Sequence, residues 1–168
     1  MSGQGRSRQR SVTTQAPAHA EDEHGMSDLR ATTLPAEAVH ITTNSDTEPF
    51  WEYAKEGKLV ALQCGACGHF RMPPTPFCPE CQSTEKNWKE LSGRGSVYSY
   101  AVVHGFPGLP DITLVGAVVS LDGAGDARLV TNVVDVDPSE VQIGMELEVT
   151  FSPISDGWQL PVFRPARG

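Results

Sequence analysis

Cys64-Gly65-Ala66-Cys67-Gly68-His69-Phe70-Arg71-Met72-Pro73-Pro74-Thr75-Pro76-Phe77-Cys78-Pro79-Glu80-Cys81 holds all four cysteines of the chain, as two CxxC pairs separated by ten residues. Two thiolates three positions apart in a tight knuckle converge on one metal ion, while nearby backbone N–H groups donate to sulfur. Two such knuckles facing each other supply four sulfurs at about 2.3 Å in a tetrahedron. Gly65 and Gly68 tolerate the positive φ that such turns require, and Pro79 stiffens the second knuckle. Two disulfides or a redox dithiol are the alternative uses of this pattern. No export signal supports the first, and a redox pair usually needs only one CxxC at the start of a helix. Zinc is the expected ion, with iron able to occupy the same four sulfurs. His69 lies inside the loop, but four thiolates already complete the shell. A closed shell leaves no position for an activated water, so the site is expected to hold the fold rather than to catalyse.

Outward from the cysteines the chain reads as short strands. Upstream, Asp46 or Thr47 can cap a short helix with Glu48 in its first turn and Gly57 at its end. Lys58–Gln63 then forms the first strand-like run. Downstream follow Asn87–Leu91, Gly95–His104, Ile112–Leu121, Arg128–Val134, Met145–Phe151 and Gly157–Phe163. Met145, Leu147, Val149 and Phe151 alternate with Glu146, Glu148 and Thr150, the period of a strand with one buried face. Ile112–Leu121 is apolar on both faces, as in a covered strand. Loops are expected at Pro107-Gly108-Leu109-Pro110, Asp122-Gly123-Ala124-Gly125 and Ser155-Asp156-Gly157. Asp137-Pro138-Ser139-Glu140 starts a turn or helical piece before Gly144. Five strands interrupted between the third and fourth suit a small Greek-key barrel of the OB type. The expected class is therefore mainly β: a short helix and metal ribbon over 45–92, then a five-stranded barrel over 93–168.

Residues 1–44 contain no Phe, Trp, Tyr or Cys and show no apolar period, so a disordered tail is expected there. Arg6, Arg8 and Arg10 precede no 7–15-residue apolar stretch of the kind a signal peptide needs, which points to a cytoplasmic protein. Met26 is a second candidate start of translation. The chain of 168 residues has 13 Lys+Arg, 21 Asp+Glu and a net charge of −8. Residues 1–44 carry −1 of this and the remainder −7. Such acidity disfavours a nucleic-acid surface, which needs clustered basic residues. No apolar run approaches the ~20 residues of a membrane helix.

The ordered set of motifs is more specific than the cysteine spacing alone. Phe50-Trp51 leads to Cys64-x-x-Cys67-Gly68, then Arg71, Pro73-Pro74 and Cys78-Pro79-x-Cys81. Gly93-Arg94-Gly95-x-Val97-Tyr98-Ser99-Tyr100, Gly144-Met145 and Phe163-Arg164-Pro165 follow. This set, over about residues 48 to 165, resembles the acyl-CoA-associated zinc-ribbon/OB-fold proteins, long classed as a domain of unknown function. The resemblance implies an N-terminal helix, a rubredoxin-like zinc ribbon and a C-terminal OB barrel. It implies an accessory subunit that pairs with a thiolase-like enzyme (a thiolase, acetyltransferase or aldolase) or with a hot-dog-fold enoyl-CoA hydratase. Catalytic residues are expected in that partner.

Candidate contacts to acyl-CoA or to the partner are Phe50, Trp51, Tyr53, Arg94 and Arg164. Arginine suits phosphate by bidentate charge-assisted bonds, and aromatic residues suit an adenine or a partner pocket. Each has a plainer role open to it: Phe50 and Trp51 in stapling the helix to the ribbon, Arg164 in pairing with a local carboxylate. His104 and Asp111 form a conceivable acid–base pair beside a Pro/Gly loop, and a solvated loop histidine is the simpler reading. Gly93-Arg94-Gly95 is too short for a phosphate loop and suits a kinked entry into the first barrel strand. Two other classes stay open. A single-strand nucleic-acid binder would stack bases on Tyr98 and Tyr100, which simple alternation puts on one face with Val102. A rubredoxin-like electron carrier would hold iron in the four sulfurs.

Overall fold

The computed structural model describes residues 30–167. One helix, α1 (Glu48–Lys55), precedes a three-stranded antiparallel sheet of β1 (Val60–Cys64), β2 (Phe70–Arg71) and β3 (Lys86–Glu90), with β1 central. The barrel strands are β4 (Arg94–Phe106), β5 (Leu109–Leu121), β6 (Arg128–Val133), β7 (Glu146–Pro153) and β8 (Gln159–Pro165). They close in the order β4-β5-β6-β8-β7, with β7 pairing back onto β4. Mainly β architecture with a five-stranded closed barrel is what the strand count anticipated. The interruption is a 3₁₀ turn, Pro138–Glu140, where Asp137 Oδ1 accepts from Ser139 N at 2.8 Å and Ser139 Oγ at 2.7 Å.

The barrel fills with the inward residues of its strands: Val97, Val115, Val119, Val133, Leu147 and Phe163 are all essentially inaccessible. Closure runs through the parallel β6–β8 seam, whose register holds the single pair Val133↔Phe163. Val134 N–H donates to Phe163 O at 2.7 Å, and buried Thr131 Oγ1 donates to Pro161 O at 2.6 Å. A side-chain hydroxyl thus supplements a short ladder.

Helix α1 couples ribbon to barrel, touching β1 and β8. Phe50 and Ala54 are buried, and the Phe50 and Trp51 rings meet edge-to-face at 5.2 Å. Lys55 Nζ lies 3.5 Å from the centroid of Trp158, which extends this contact to the barrel. The helix start differs from expectation. Neither Asp46 nor Thr47 caps it with a side chain; Asn44 Oδ1 accepts from Asp46 N, Thr47 N and Thr47 Oγ1, organising the turn before the helix. Asp46 is engaged elsewhere, by Lys86 of β3. Gly57, at φ +73°, ends the helix as anticipated and donates to Ala54 O.

Other differences have local causes. The expected loop Pro107–Pro110 shrinks to Pro107-Gly108, because Leu109 and Pro110 already belong to β5 and Leu109 pairs with Phe106. A bulge between Val97 and Ser99 interrupts β4, so Tyr98 and Ser99 stand together opposite Val118 while Tyr100 pairs with Ala117. Tyr98 and Tyr100 therefore lie on opposite faces, and Arg128 covers the Tyr98 ring at 3.9 Å. The short β2 was not expected.

Residues 30–44, read as part of a disordered tail, lie on the barrel instead. Ala31 is 2% exposed; its N–H donates to Val136 O at 2.8 Å and its carbonyl accepts from Asp135 N at 3.0 Å. Thr32 N–H donates to Thr113 O, Ser155 Oγ donates to Ala36 O, and Ala36–Ala38 forms a 3₁₀ turn. The segment is ordered by bonds to β5, to the stretch just after β6 and to the turn at Ser155, a cause that leaves no apolar period in the sequence. Residues 1–29 of the expected tail, with Met26, lie outside the described residues.

Candidate metal centre

Cys64 terminates β1, and the chain turns at once. Cys64 N–H donates to His69 O at 2.8 Å and Gly68 N–H to Cys64 O at 2.9 Å. The second knuckle repeats the same rings: Cys78 N–H donates to Ser83 O at 2.9 Å and Gln82 N–H to Cys78 O at 3.0 Å. The residue four after each leading cysteine is left-handed, Gly68 at φ +78° and Gln82 at φ +60°. Gly65, expected to share that role, is not in the left-handed region. Its smallness serves packing, since an added Cβ would lie 2.9 Å from Glu85 Oε2, and its N–H donates to Glu85 O at 3.2 Å.

These knuckles bring Cys64, Cys67, Cys78 and Cys81 together, with the four sulfurs within 4.8 Å of one another. Cys64 and Cys81 Sγ are 3.6 Å apart, as are Cys67 and Cys78 Sγ. A tetrahedral ion bound at about 2.3 Å requires sulfurs about 3.8 Å apart, so the set fits a four-thiolate metal. The leading cysteine of each pair is buried and the trailing one exposed. His69 contributes its main chain, not its ring, to the cluster.

The sulfur electrostatics follow the knuckle geometry. Backbone N–H groups of Cys67 and then Ala66 donate toward Cys64 and, against burial, bring its thiol down to about 6. At Cys78 burial pushes up, but the N–H groups of Cys81 and Glu80 prevail and the thiol is lowered. At Cys67 the His69 N–H pulls down; the bonds to neighbouring cysteines and burial outweigh it, raising the thiol to about 12. Cys81 is raised as well, the sulfurs of Cys64 and Cys78 and burial overcoming the Ser83 N–H and Cys67. Four thiolates around one ion would leave no coordination position for water, an arrangement suited to holding the ribbon together.

The other candidate residues occupy distinct places. Phe50 is 6% exposed, within the core. Trp51 and Tyr53 are half-buried against it. Arg164 Nε donates to Glu148 Oε1 at 2.9 Å. Arg94 is exposed at the start of β4, opposite Glu148 in register. His104 Nδ1 lies 3.3 Å from Thr113 Oγ1, its cross-strand partner, so the His104–Asp111 pair does not form. A cleft of about 330 Å³ at the ribbon–barrel junction is lined by Phe50, Trp51, Met72, Pro73 and Val130, with Arg128 at its edge. A wider neighbouring cleft of about 590 Å³ shares Met72, Pro73 and Arg128 and adds Arg71. Sequence reading assigned no role to Arg71 or Arg128; the one trace was the place of Arg71 in the motif set. No helix among the described residues is long and apolar enough to cross a membrane.

Comparison with known proteins follows this division. Models of the ChsH2 rubredoxin-like zinc ribbon domain and the ChsH2 C-terminal OB-fold domain match residues 51–86 and 88–152. A probable enoyl-CoA hydratase alpha subunit of Thermomonospora curvata is 38% identical over 123 residues, 73% of this chain and 38% of that protein. This chain thus spans well under half the length of that relative. A DUF35 domain-containing scaffold protein of Methanocaldococcus jannaschii is 36% identical over 110 residues, 63% of this chain and 77% of that protein. Among solved structures, a chain of the Ltp2-ChsH2(DUF35) aldolase superposes with a TM-score of 0.68 at 37% identity, over 76% of this chain and 100% of that one.

Proposed function

The chain belongs to the ChsH2/DUF35 family of rubredoxin-like zinc-ribbon and OB-fold proteins, and from that premise we propose that it is a non-catalytic, zinc-binding accessory subunit of an acyl-CoA-processing complex. Its partner in this reading is a thiolase-like enzyme of the aldolase type. The observation that carries it is the likeness to the Ltp2-ChsH2(DUF35) aldolase chain, which is matched over its whole length. The thiolate geometry is consistent with a supporting role, because all four cysteines converge on one closed site. Reduced thiolates suit a cytoplasmic setting. Of the contact candidates, Trp51 at the junction cleft and exposed Arg94 are those we assign to partner or acyl-CoA. Phe50 and Arg164 serve the core and Glu148 instead.

A second reading, pairing with a hot-dog-fold enoyl-CoA hydratase, is favoured by the name of the Thermomonospora curvata relative. Affinity capture of the tagged chain from its native host, with the bound proteins identified by mass spectrometry, separates the two. A thiolase-like subunit in stoichiometric amount is expected. A hydratase subunit alone supports the second reading, and neither enzyme sinks both. Metal analysis of the same preparation is expected to give one zinc per chain, and a red iron protein would instead favour an electron carrier.

A further inference from the structure

Among the described residues Arg71 is the one charged side chain in the buried class, at 5% exposed. A cation taken out of water needs a compensating charge, or its burial is strongly unfavourable. No carboxylate of the described residues lies within 4.0 Å of it. Its Nε and Nη1 have no hydrogen-bond partner. Its one bond is from Nη2 to Glu85 O at 3.3 Å.

That bond places the cation. The same Glu85 carbonyl accepts the N–H of Gly65 at 3.2 Å, and Gly65 follows Cys64 directly. The guanidinium and the first knuckle are therefore no further apart than two hydrogen-bond lengths through one oxygen. The β1–β2 register agrees: Arg71 pairs with Leu62, two residues before Cys64. Four thiolates around a divalent ion carry a net charge of −2, the largest local charge of the ribbon. We propose that Arg71 is the counter-cation of the thiolate centre: a positioning residue that compensates its surplus negative charge and strengthens its hold on the metal. The proposal rests on the four cysteines being a metal site, and goes beyond it by giving the buried arginine a task.

The sign of the effect is fixed by electrostatics. A positive charge near four thiolates favours the more negative of two metal states, so it raises the potential of an iron-loaded ribbon. At mildly acidic pH, where the released sulfurs take up protons and become neutral, it likewise favours the −2 zinc form over the metal-free one. Zinc and iron forms of the full chain are to be prepared with Arg71→Met, Arg71→Gln and Arg71→Lys. Arg71→Gln can keep an N–H bond to the Glu85 carbonyl without the charge, and serves if Arg71→Met does not fold. Both neutral variants are expected to lose zinc to a chelator about tenfold faster. By voltammetry the iron forms should fall by about 59 mV, the one-electron equivalent of a tenfold change. Arg71→Lys should recover most of both. An unchanged potential in a folded neutral variant overturns the proposal, as does a fall of equal size in Arg71→Lys. A wild-type chain that binds no metal overturns the metal site itself, a distinguishable result.

Discussion

Arg164 on β8 and Glu148 on β7 stand directly opposite each other in the antiparallel register, and Arg164 Nε donates to Glu148 Oε1 at 2.9 Å. Their side chains retain 34% and 26% of their exposure, so water screens the pair. A coupling of roughly 0.2–1 kcal/mol is expected from a double-mutant cycle with Arg164→Ala and Glu148→Ala, read by urea unfolding. A coupling well above that range would contradict a half-exposed pair. Because Arg164 is engaged locally, Arg164→Ala is also expected to leave recovery of the partner enzyme unchanged.

Thr131 has more at stake, because its hydroxyl bonds the Pro161 carbonyl at the seam where β6 and β8 share one register pair. Thr131→Val keeps the shape and strands that carbonyl in a buried place, at a cost of about 1–3 kcal/mol. Thr131→Ser keeps the donor and should cost less. Unfolding midpoints decide it; a loss in Thr131→Ser as large as that in Thr131→Val would show that the methyl group, which only the serine lacks, matters as much as the hydrogen bond.

The parts of this molecule legible from its sequence are those with a repeating chemical signal. Cys64, Cys67, Cys78 and Cys81 announce themselves by spacing, and Leu147 with its alternating neighbours announces a strand. What stayed hidden depends on partners distant in the chain. Ala31 is ordered by Val136 and Asp135, which no local pattern connects to it. Gln82 occupies a left-handed position that glycine fills in the first knuckle, so a search for glycine misses the symmetry of the two turns. The bulge at Tyr98 resets the strand alternation and takes that ring away from Tyr100. Arg71 and Arg128 approach the junction clefts from β2 and β6, elements that only the folded chain brings together.

Gly95 and Gly116 are both strand glycines, and the structure separates their roles. A Cβ on Gly95 would run into Ser120 O on the neighbouring strand and lie 2.8 Å from Val119 Cγ1. Backbone cannot yield there, so Gly95→Ala is expected to cost about 1–3 kcal/mol. A Cβ on Gly116 meets nothing within 4 Å, and its φ is outside the left-handed region. Gly116→Ala should be neutral or stabilising by up to about 1 kcal/mol, through loss of freedom in the unfolded chain. Thermal unfolding of the two variants tests the contrast, and similar midpoints would show that β4 and β5 are not so closely apposed at Gly95.

Protons and the metal compete for the same four sulfurs. Metal binding requires all four sulfurs as thiolates, so each proton added favours the metal-free form. Without metal, the sulfurs hold protons unequally: Cys64 gives its proton up at about 6, whereas Cys67 keeps its proton to about 12. Cys67 and Cys81, whose thiols are raised, are thus deprotonated by the metal itself at neutral pH, whereas Cys64 needs no such help. As pH falls through about 6, Cys64 becomes a competitor for protons too, and metal release should steepen there. An indicator dye that follows zinc, read beside near-ultraviolet circular dichroism, is expected to show release and loss of the ribbon's aromatic signal together on acidification. Trp88, facing Leu62 across β1 and β3, reports on that sheet. Release on raising the pH, or release with an unchanged aromatic signal, would show that the four cysteines do not hold the ribbon through a metal.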